Sequence, residues 1–282
     1  MQKKKVASKA AILGLGIVGS RVRQRLVDAG YEVGSWSRTF RGLEGEEKSP
    51  EAAVAEADLV SIYLKDAPMV REVFSGVSSH LKKGALVLNH ATIDLPTTLW
   101  LAEQCKEQGC DFLDAPFTGS KDAAAAGQLL YYIGGSEKLA RQVSDFLAVS
   151  SKDWMHCGEI GSGTVTKIGT NLITACTVQA MSEALTIAKK HGVKPEVFTE
   201  AAIRNGSGSP LMQMKYPGML SGEFDAHFTM ANMLKDSRYA LALAEAAGVA
   251  LPAMEVVSER MSEMCERGLA DADFSAMVKA YD

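Results

Sequence analysis

Lys167 and Asn171 stand four residues apart in "GSGTVTKIGTN" (161–171), a stretch that carries no other charge. On a helix that spacing puts both side chains on one face. A lysine near the start of a helix lies towards the positive end of the helix dipole, where an ammonium is disfavoured, and partial burial acts in the same direction. Such a lysine can give up a proton near neutral pH, as a general acid must. An ordinary surface lysine is the alternative, and the uncharged, apolar setting argues against it.

A second group of residues suits binding rather than proton transfer. Thr118, Gly119 and Ser120 in "DAPFTGSKDAAAAGQL" (114–129) follow an apolar run that reads as a strand. Open α/β sheets place their sites at strand ends. A hydroxyl and backbone N–H groups there can hold a substrate carboxylate, although a well-capped turn would use the same residues. The third group is Gly14-Leu15-Gly16-Ile17-Val18-Gly19, a G-x-G-x-x-G spacing between an apolar run and a helix-like pattern. The first glycine allows a tight turn and the second lets backbone approach a pyrophosphate. The third lets helix and strand pack closely, while the helix N-terminus faces the phosphate charge.

The end of the second strand bears on which nucleotide binds. An NAD site usually has an Asp or Glu about 20 residues beyond the glycines, bonded to the ribose 2′-hydroxyl. Here "SWSRTFR" (35–41) offers no carboxylate. Ser37, Arg38 and Thr39 supply hydroxyls and a planar guanidinium, which suit a 2′-phosphate and point to NADPH. The alternative for Arg38 is a solvated turn residue.

The elements that must position these residues follow from periodicity. Apolar runs at 10–16, 31–36, 59–64, 85–90, 111–115 and 129–135 read as strands, with helical patterns at 17–29, 97–108 and 136–148. This alternation predicts an N-terminal Rossmann-type, doubly wound, mostly parallel sheet over 1–160. Residues 164–191 contain no proline and one glycine and end at "KKHG", a basic last turn followed by a glycine stop. Only helical patterns and loops follow, so 161–282 is expected to be an all-helical domain entered through one long helix. The methionines near 212–233 are expected to fill its core.

Composition narrows the class further. The chain has 282 residues, long enough for two domains, and a net charge of −4 with scattered basic residues, which gives no footprint for nucleic acid. The five cysteines (Cys105, Cys110, Cys157, Cys176, Cys265) form no C-x-x-C pair, so neither a disulfide framework nor a zinc site is expected and a reducing cytoplasm fits best. His191 reads as a helix-end residue, and His80, His90, His156 and His227 lack metal-ligand spacing. The lysines before the first apolar run mimic a signal peptide, but that run is better used as a strand. No apolar run reaches membrane-spanning length, so a soluble protein is expected.

Together the glycine loop, "DAPFTGSKDAAAAGQL" and "GEIGSGTVTKIGTNL" (158–172) resemble the β-hydroxyacid dehydrogenase family, which includes 3-hydroxyisobutyrate dehydrogenases and glyoxylate/succinic semialdehyde reductases. The resemblance runs to "SAMVKAY" (275–281). "SRT" after the second strand resembles the NADP-using branch, and "GSK…AGQL" the glyoxylate/succinic semialdehyde reductases. The family implies Lys167 as proton donor with Asn171 orienting it, and a carboxylate held at Thr118 to Ser120. It also implies Thr92 beside nicotinamide and substrate, Leu64 and Lys235 beside the cofactor, and Phe228 and Asp236 closing the pocket. Homodimers or tetramers built through the helical domain are implied as well. Three departures stand out: Thr118-Gly119-Ser120 for Ser-Gly-Gly, which crowds the pocket; Ala91-Thr92-Ile93 for Ser-Thr-Ile; and a short segment between Arg38 and Asp58.

The expected activity is therefore NADPH-dependent reduction of small aldehyde acids, reversible with the hydroxy acid. Alternatives within reach are 3-hydroxyisobutyrate or tartronate semialdehyde (2-hydroxy-3-oxopropionate) oxidoreduction with NAD or NADP, and imine reduction, against which Lys167 argues. A non-catalytic cofactor-binding module would be expected to have lost the lysine.

Overall fold

The computed structural model describes residues 9–282; the lysine-rich start weighed as a signal-peptide mimic lies outside the described residues. The chain forms two compact units, Met1–Lys167 and Ile168–Asp282. The first holds β1 (Lys9–Leu13), α1 (Gly19–Asp28), β2 (Glu32–Trp36), α2 (Pro50–Val54), β3 (Leu59–Ile62), α3 (Ala67–Val77), β4 (Leu86–Asn89) and α4 (Leu95–Glu107). It continues with β5 (Asp111–Asp114), β6 (Phe117–Thr118), α5 (Lys121–Ala126), β7 (Leu129–Gly134), α6 (Glu137–Gln142), α7 (Ser144–Leu147) and β8 (Ser151–Gly158).

These strands make one sheet in the order β2-β1-β3-β4-β5-β7-β6, with β8 pairing the other side of β7. From β2 to β5 every pairing is parallel, and β7 runs antiparallel to β5. The order reverses at β1, so the crevice beyond its C-terminal end is a switch point of the kind where such sheets bind ligands. β3 and β4 are buried at every position, Ser61 and Asn89 included, as strands covered on both faces must be.

Several elements depart from the sequence expectations, with α2, α3, β6, α5 and β8 all lying outside the expected strands and helices. β8 was not expected, because "SKDWMHCG" is polar and mostly exposed at the sheet edge, without the apolar alternation that marks a strand. The helix expected over 136–148 is two short helices, interrupted at Val143, which leaves helical geometry (φ −102°, ψ 13°). α3 has its own start signal, since Asp66 Oδ1 accepts from the Met69 N–H and a proline follows in the first turn.

A 29-residue helix, α8 (Ser162–Lys190), leaves the first unit and enters the second. The second unit then comprises α9 (Pro195–Arg204), α10 (Pro210–Ser221), α11 (Met230–Ala247), α12 (Pro252–Met264), a kinked turn at Cys265–Leu269 and a 3-10 segment at Phe274–Tyr281. Its core is rich in methionine: Met181, Met219, Met230, Met233, Met254, Met261, Met264 and Met277 are all buried. Unbranched thioethers fill the irregular gaps between crossing helices. Among the described residues no helix is long and apolar enough to cross a membrane.

Candidate active site

The glycine loop joins β1 to α1, and each glycine is needed for a different local reason. Gly14 has φ +101°, and a Cβ there would fall 2.5 Å from the Tyr63 carbonyl oxygen at the end of β3, with Leu64 alongside. A Cβ at Gly19 would collide with the Gly14 carbonyl. Gly16 has nothing within 4 Å of the Cβ position, so its backbone stands open to an incoming group. Leu15 is buried, Ile17 is 60% exposed, and Val18 begins α1 without a side-chain cap. Uncapped helix amides beside a bare glycine form a cradle that fits a pyrophosphate.

Beyond β2, Arg38 and Thr39 are exposed and Ser37 is half-buried. The Ser37 hydroxyl donates to the Thr39 carbonyl at 2.8 Å. It also lies 3.3 Å from Glu46 Oε1, so its one proton is shared between these two acceptors within the turn, and the donors left for a 2′-phosphate are Arg38 and Thr39.

The carboxylate of Asp114, the first residue of "DAPFTGS", is fully buried. Its Oδ1 accepts the Gly161 N–H at 2.8 Å and its Oδ2 the Thr164 N–H at 2.7 Å. One side chain at the end of β5 therefore caps the start of α8. Close backbone approach adds to the tie: a Cβ at Gly163 would lie 2.9 Å from the Gly134 nitrogen and 3.0 Å from the Asp114 carbonyl oxygen. The hydroxyls of Thr98 and Thr164 meet at 3.0 Å. Burial pushes the Asp114 carboxyl up, and the N–H donors of Gly161 and Thr164 only partly offset it.

This cap changes the electrostatic argument for Lys167. Lys167 is the sixth residue of α8, beyond the first turn where the dipole acts, and a carboxyl group already sits on that helix end. The helix terminus therefore does not by itself disfavour the ammonium. The lysine is half-buried in an otherwise uncharged first turn and a half.

Thr118 is half-buried at the end of β6, and Gly119 takes φ +137°, with a Cβ position 2.8 Å from Leu129. Only glycine fits there. Ser120, in place of the family's second glycine, accepts the Ala123 N–H at 3.2 Å and caps α5. Its hydroxyl oxygen accepts from that helix and keeps its own proton, so both that proton and the backbone N–H remain as donors at the turn.

Thr92 is half-buried after β4, in a turn shaped by Asn89, whose amide group donates to the Ala91 carbonyl and accepts its N–H. His90, beside it, is 1% exposed, and burial pushes its imidazole down to about 4 despite the Ala115 carbonyl that its Nδ1 reaches at 2.8 Å. It is stacked 4.5 Å from the Tyr63 ring and stays neutral at physiological pH, which removes it as a proton carrier.

In the second unit, Asn171 Nδ2 donates to Asp236 Oδ2 at 2.6 Å and Lys235 Nζ to Asp236 Oδ1 at 2.7 Å. Asp236 is 1% exposed with both oxygens engaged, so it acts through Asn171 and Lys235 rather than as a pocket wall. Lys235 also lies 4.8 Å over the Tyr239 ring. Phe228 is half-buried against Phe274, edge to face at 6.4 Å. Sequence reasoning missed the roles of Asp114 as a helix cap and of Asp236 as a shared acceptor. The first residue of the quoted motif was the available signal for Asp114; for Asp236 it was the "KD" pair.

The chain resembles known proteins over almost all of its length. Residues 9–161 match the family described as the NAD binding domain of 6-phosphogluconate dehydrogenase. Residues 161–281 match that described as the NAD-binding domain of NADP-dependent 3-hydroxyisobutyrate dehydrogenase. The chain is 31% identical to the chloroplastic glyoxylate/succinic semialdehyde reductase 2 of Arabidopsis thaliana, over 95% of this chain and 78% of that protein. It is 29% identical to the 2-hydroxy-3-oxopropionate reductase of Escherichia coli, over 97% of each. The solved 3-hydroxyisobutyrate dehydrogenase of Mycobacterium tuberculosis, with L-serine, superposes with a TM-score of 0.90 at 25% identity, covering 97% of this chain and 98% of that one. A cradle for a dinucleotide, a lysine-bearing helix capped from the D-A-P strand, and near full-length likeness to these oxidoreductases identify the chain as a member of the β-hydroxyacid dehydrogenase family, with a nicotinamide cofactor.

Proposed function

We propose that the chain is an NADPH-dependent reductase of small aldehyde acids of the glyoxylate/succinic semialdehyde type, working reversibly on the matching hydroxy acid. The observation that carries this reading is the Asp114 tie, which fixes the helix bearing Lys167 against the strand that leads into Thr118-Gly119-Ser120. Residues 1–160 serve as the dinucleotide-binding domain and 161–282 as the helical substrate and dimerisation domain. The cytoplasm is the compartment that suits its free thiols.

Gly14 to Gly19 and the α1 N-terminus hold the pyrophosphate, Leu64 borders the loop, and Arg38 and Thr39 hold the 2′-phosphate, with Thr92 and Lys235 completing the cofactor contacts. The nicotinamide, when bound, supplies the hydride. Lys167 Nζ donates its proton to the substrate oxygen as that oxygen gains charge. Asn171 is held by acceptor-only Asp236 with its NH2 group inward, so its carbonyl oxygen is the group that accepts from and orients the lysine, and through that ammonium the reacting oxygen. The Thr118 hydroxyl and the N–H groups of Gly119 and Ser120 grip the distant carboxylate, and Phe228 closes the apolar side.

The test is aldehyde-dependent NADPH oxidation, followed by the fall in absorbance, over glyoxylate, succinic semialdehyde, tartronate semialdehyde, methylmalonate semialdehyde and uncharged butanal. Succinic semialdehyde should exceed butanal by about tenfold or more in kcat/KM, each tenfold corresponding to about 1.4 kcal/mol. Equal rates would show that Thr118 to Ser120 form only a turn.

A further inference from the structure

The residues from Arg38 to Gly45 are all exposed, yet Glu46 at the end of this stretch is only 8% exposed. Its Oε2 accepts the N–H groups of Arg41 at 2.9 Å and Leu43 at 3.1 Å, and its Oε1 lies 3.3 Å from the Ser37 hydroxyl oxygen. The return strand is pinned as well. The Ser35 N–H donates to the Gly45 carbonyl at 2.9 Å and the Glu47 N–H to the Ser35 carbonyl at 2.8 Å. Arg23 of α1, itself 5% exposed, bonds the Ser35 hydroxyl and the Glu44 carbonyl. The 37–46 segment is thus a closed ring fastened to β2, with one carboxylate at its centre.

Burial works to raise that carboxyl, but the amides of Leu43, Arg41 and Gly42 and the Ser37 hydroxyl outweigh it and hold it below the usual range. The charge is spent on backbone donors rather than on a guanidinium. Among the described residues neither Arg38 nor Arg41 enters an ion pair. The ring therefore exposes two arginine side chains, neither of them ion-paired, in a segment whose formal charge Glu44 and Glu46 balance.

We propose that Glu46 is a positioning residue for cofactor choice, clasping the Arg41 and Leu43 amides so that the 37–43 ring offers both Arg38 and Arg41 to a 2′-phosphate. This rests on the NADPH reading above and adds Arg41 to it. A pre-folded ring loses little entropy when the phosphate binds, whereas an unclasped one must be ordered at that moment. NADH, lacking the phosphate, does not use the ring in this way.

Calorimetric titration with NADPH, NADH and 2′,5′-ADP tests this on the unmodified protein and on Glu46→Ala, Glu46→Gln and Arg41→Ala. Thermal melts confirm that each variant is folded. Glu46→Ala should weaken NADPH and 2′,5′-ADP by about tenfold or more while changing NADH by less than about twofold. Glu46→Gln keeps a carbonyl oxygen for the two amides and should stay within about threefold of the unmodified protein. Arg41→Ala leaves the backbone amide in place and should weaken only the two phosphate-bearing ligands. Parallel losses for NADPH and NADH in Glu46→Ala would reduce the residue to general loop stability and overturn the proposal. Tighter NADPH in both Glu46 variants would make Glu46 a repelling charge and overturn it too. Unmodified protein that binds NADH as tightly as NADPH would sink the cofactor reading and this inference with it. A preserved NADPH preference that Glu46→Ala leaves unchanged would sink the clasp alone.

Discussion

A proton donor must be held where the substrate oxygen gains charge, and on the proposed reading it is the position of Lys167 on α8, rather than the helix dipole, that would meet that need. Lys167→Ala should lower kcat by about 10²–10⁴, the usual worth of general acid catalysis, and leave NADPH affinity nearly unchanged. Lys167→Arg should be similarly poor, since a guanidinium keeps its proton at neutral pH. Stopped-flow hydride transfer alongside NADPH binding by fluorescence separates the outcomes. Near-normal transfer would return Lys167 to the protein surface, and lost NADPH binding would make it a cofactor ligand. Arg38 belongs to the same scale: Arg38→Ala should weaken NADPH by about 1.5–3 kcal/mol, and NADH far less, as expected for one charge-assisted bond. Cofactor titrations giving equal losses would contradict it. What could be read directly in the sequence at this scale was local. Gly14, Gly16 and Gly19 answer to the chain within a few residues of themselves and to β3, and their spacing alone states the need. Glu46 was hidden for the opposite reason. Its partners are backbone amides brought to it by a turn, and no side-chain pattern announces a backbone donor.

At the scale of elements, two buried carboxylates set where functional segments begin. Asp114 caps a helix 47 residues away in sequence, a separation that no window of periodicity spans. The same distance explains why the motif could be recognised while its mechanical role could not. Asp114→Ala leaves the Gly161 and Thr164 amides without their acceptor and loosens the start of α8. It should lower kcat well beyond any change in the KM for NADPH, with the protein still folded by circular dichroism. A change confined to thermal stability would show that the tie is structural only. Asp273 does comparable work in the second unit: it accepts from Lys215 Nζ at 2.8 Å and from the N–H groups of His227, Phe228 and Ser275. Both members of this ion pair are 4% exposed. Burial pushes the Asp273 carboxyl up, but Lys215 and Ser275 outweigh it and hold it below its ordinary value. A carboxyl lowered by folding stabilises the fold above its unfolded value, and that contribution is lost as pH falls through the lower, folded one. Acid titration should therefore loosen the Phe228 segment below about pH 4, the ordinary carboxylate range. Asp273→Asn should flatten that acid limb in melts taken across pH, and it should cost about 3–5 kcal/mol at neutral pH because Lys215 stays buried without its partner. An unchanged acid limb in the variant would assign the pH dependence elsewhere.

For the whole molecule, the change was readable because strand-length apolar runs recur between helical patterns in the first half and only helical patterns follow. β8 escaped because an edge strand with exposed side chains carries neither period. The same contrast between buried and exposed faces bears on assembly. Along α8, Val165, Ile173 and Ile187 are 43%, 63% and 61% exposed. Gly169, Ala180 and Ala184 lie on the same side of the helix by their spacing. A largely apolar stripe of this length, set with small residues and interrupted by Glu183, favours close approach of another helix. The family resemblance points to symmetric assembly through the helical domain, in which one self-complementary patch serves both copies. Light scattering at micromolar concentration should thus give at least twice the 30.2 kDa of the chain. Ile173→Asp would set a charge in the middle of the stripe and should shift the mass towards a single chain. Melts at several protein concentrations supply the second reading, because a dimer's midpoint rises with concentration and a monomer's does not. A mass of 30.2 kDa for the unmodified protein, with a midpoint independent of concentration, would leave the stripe as an exposed face with no role in self-association.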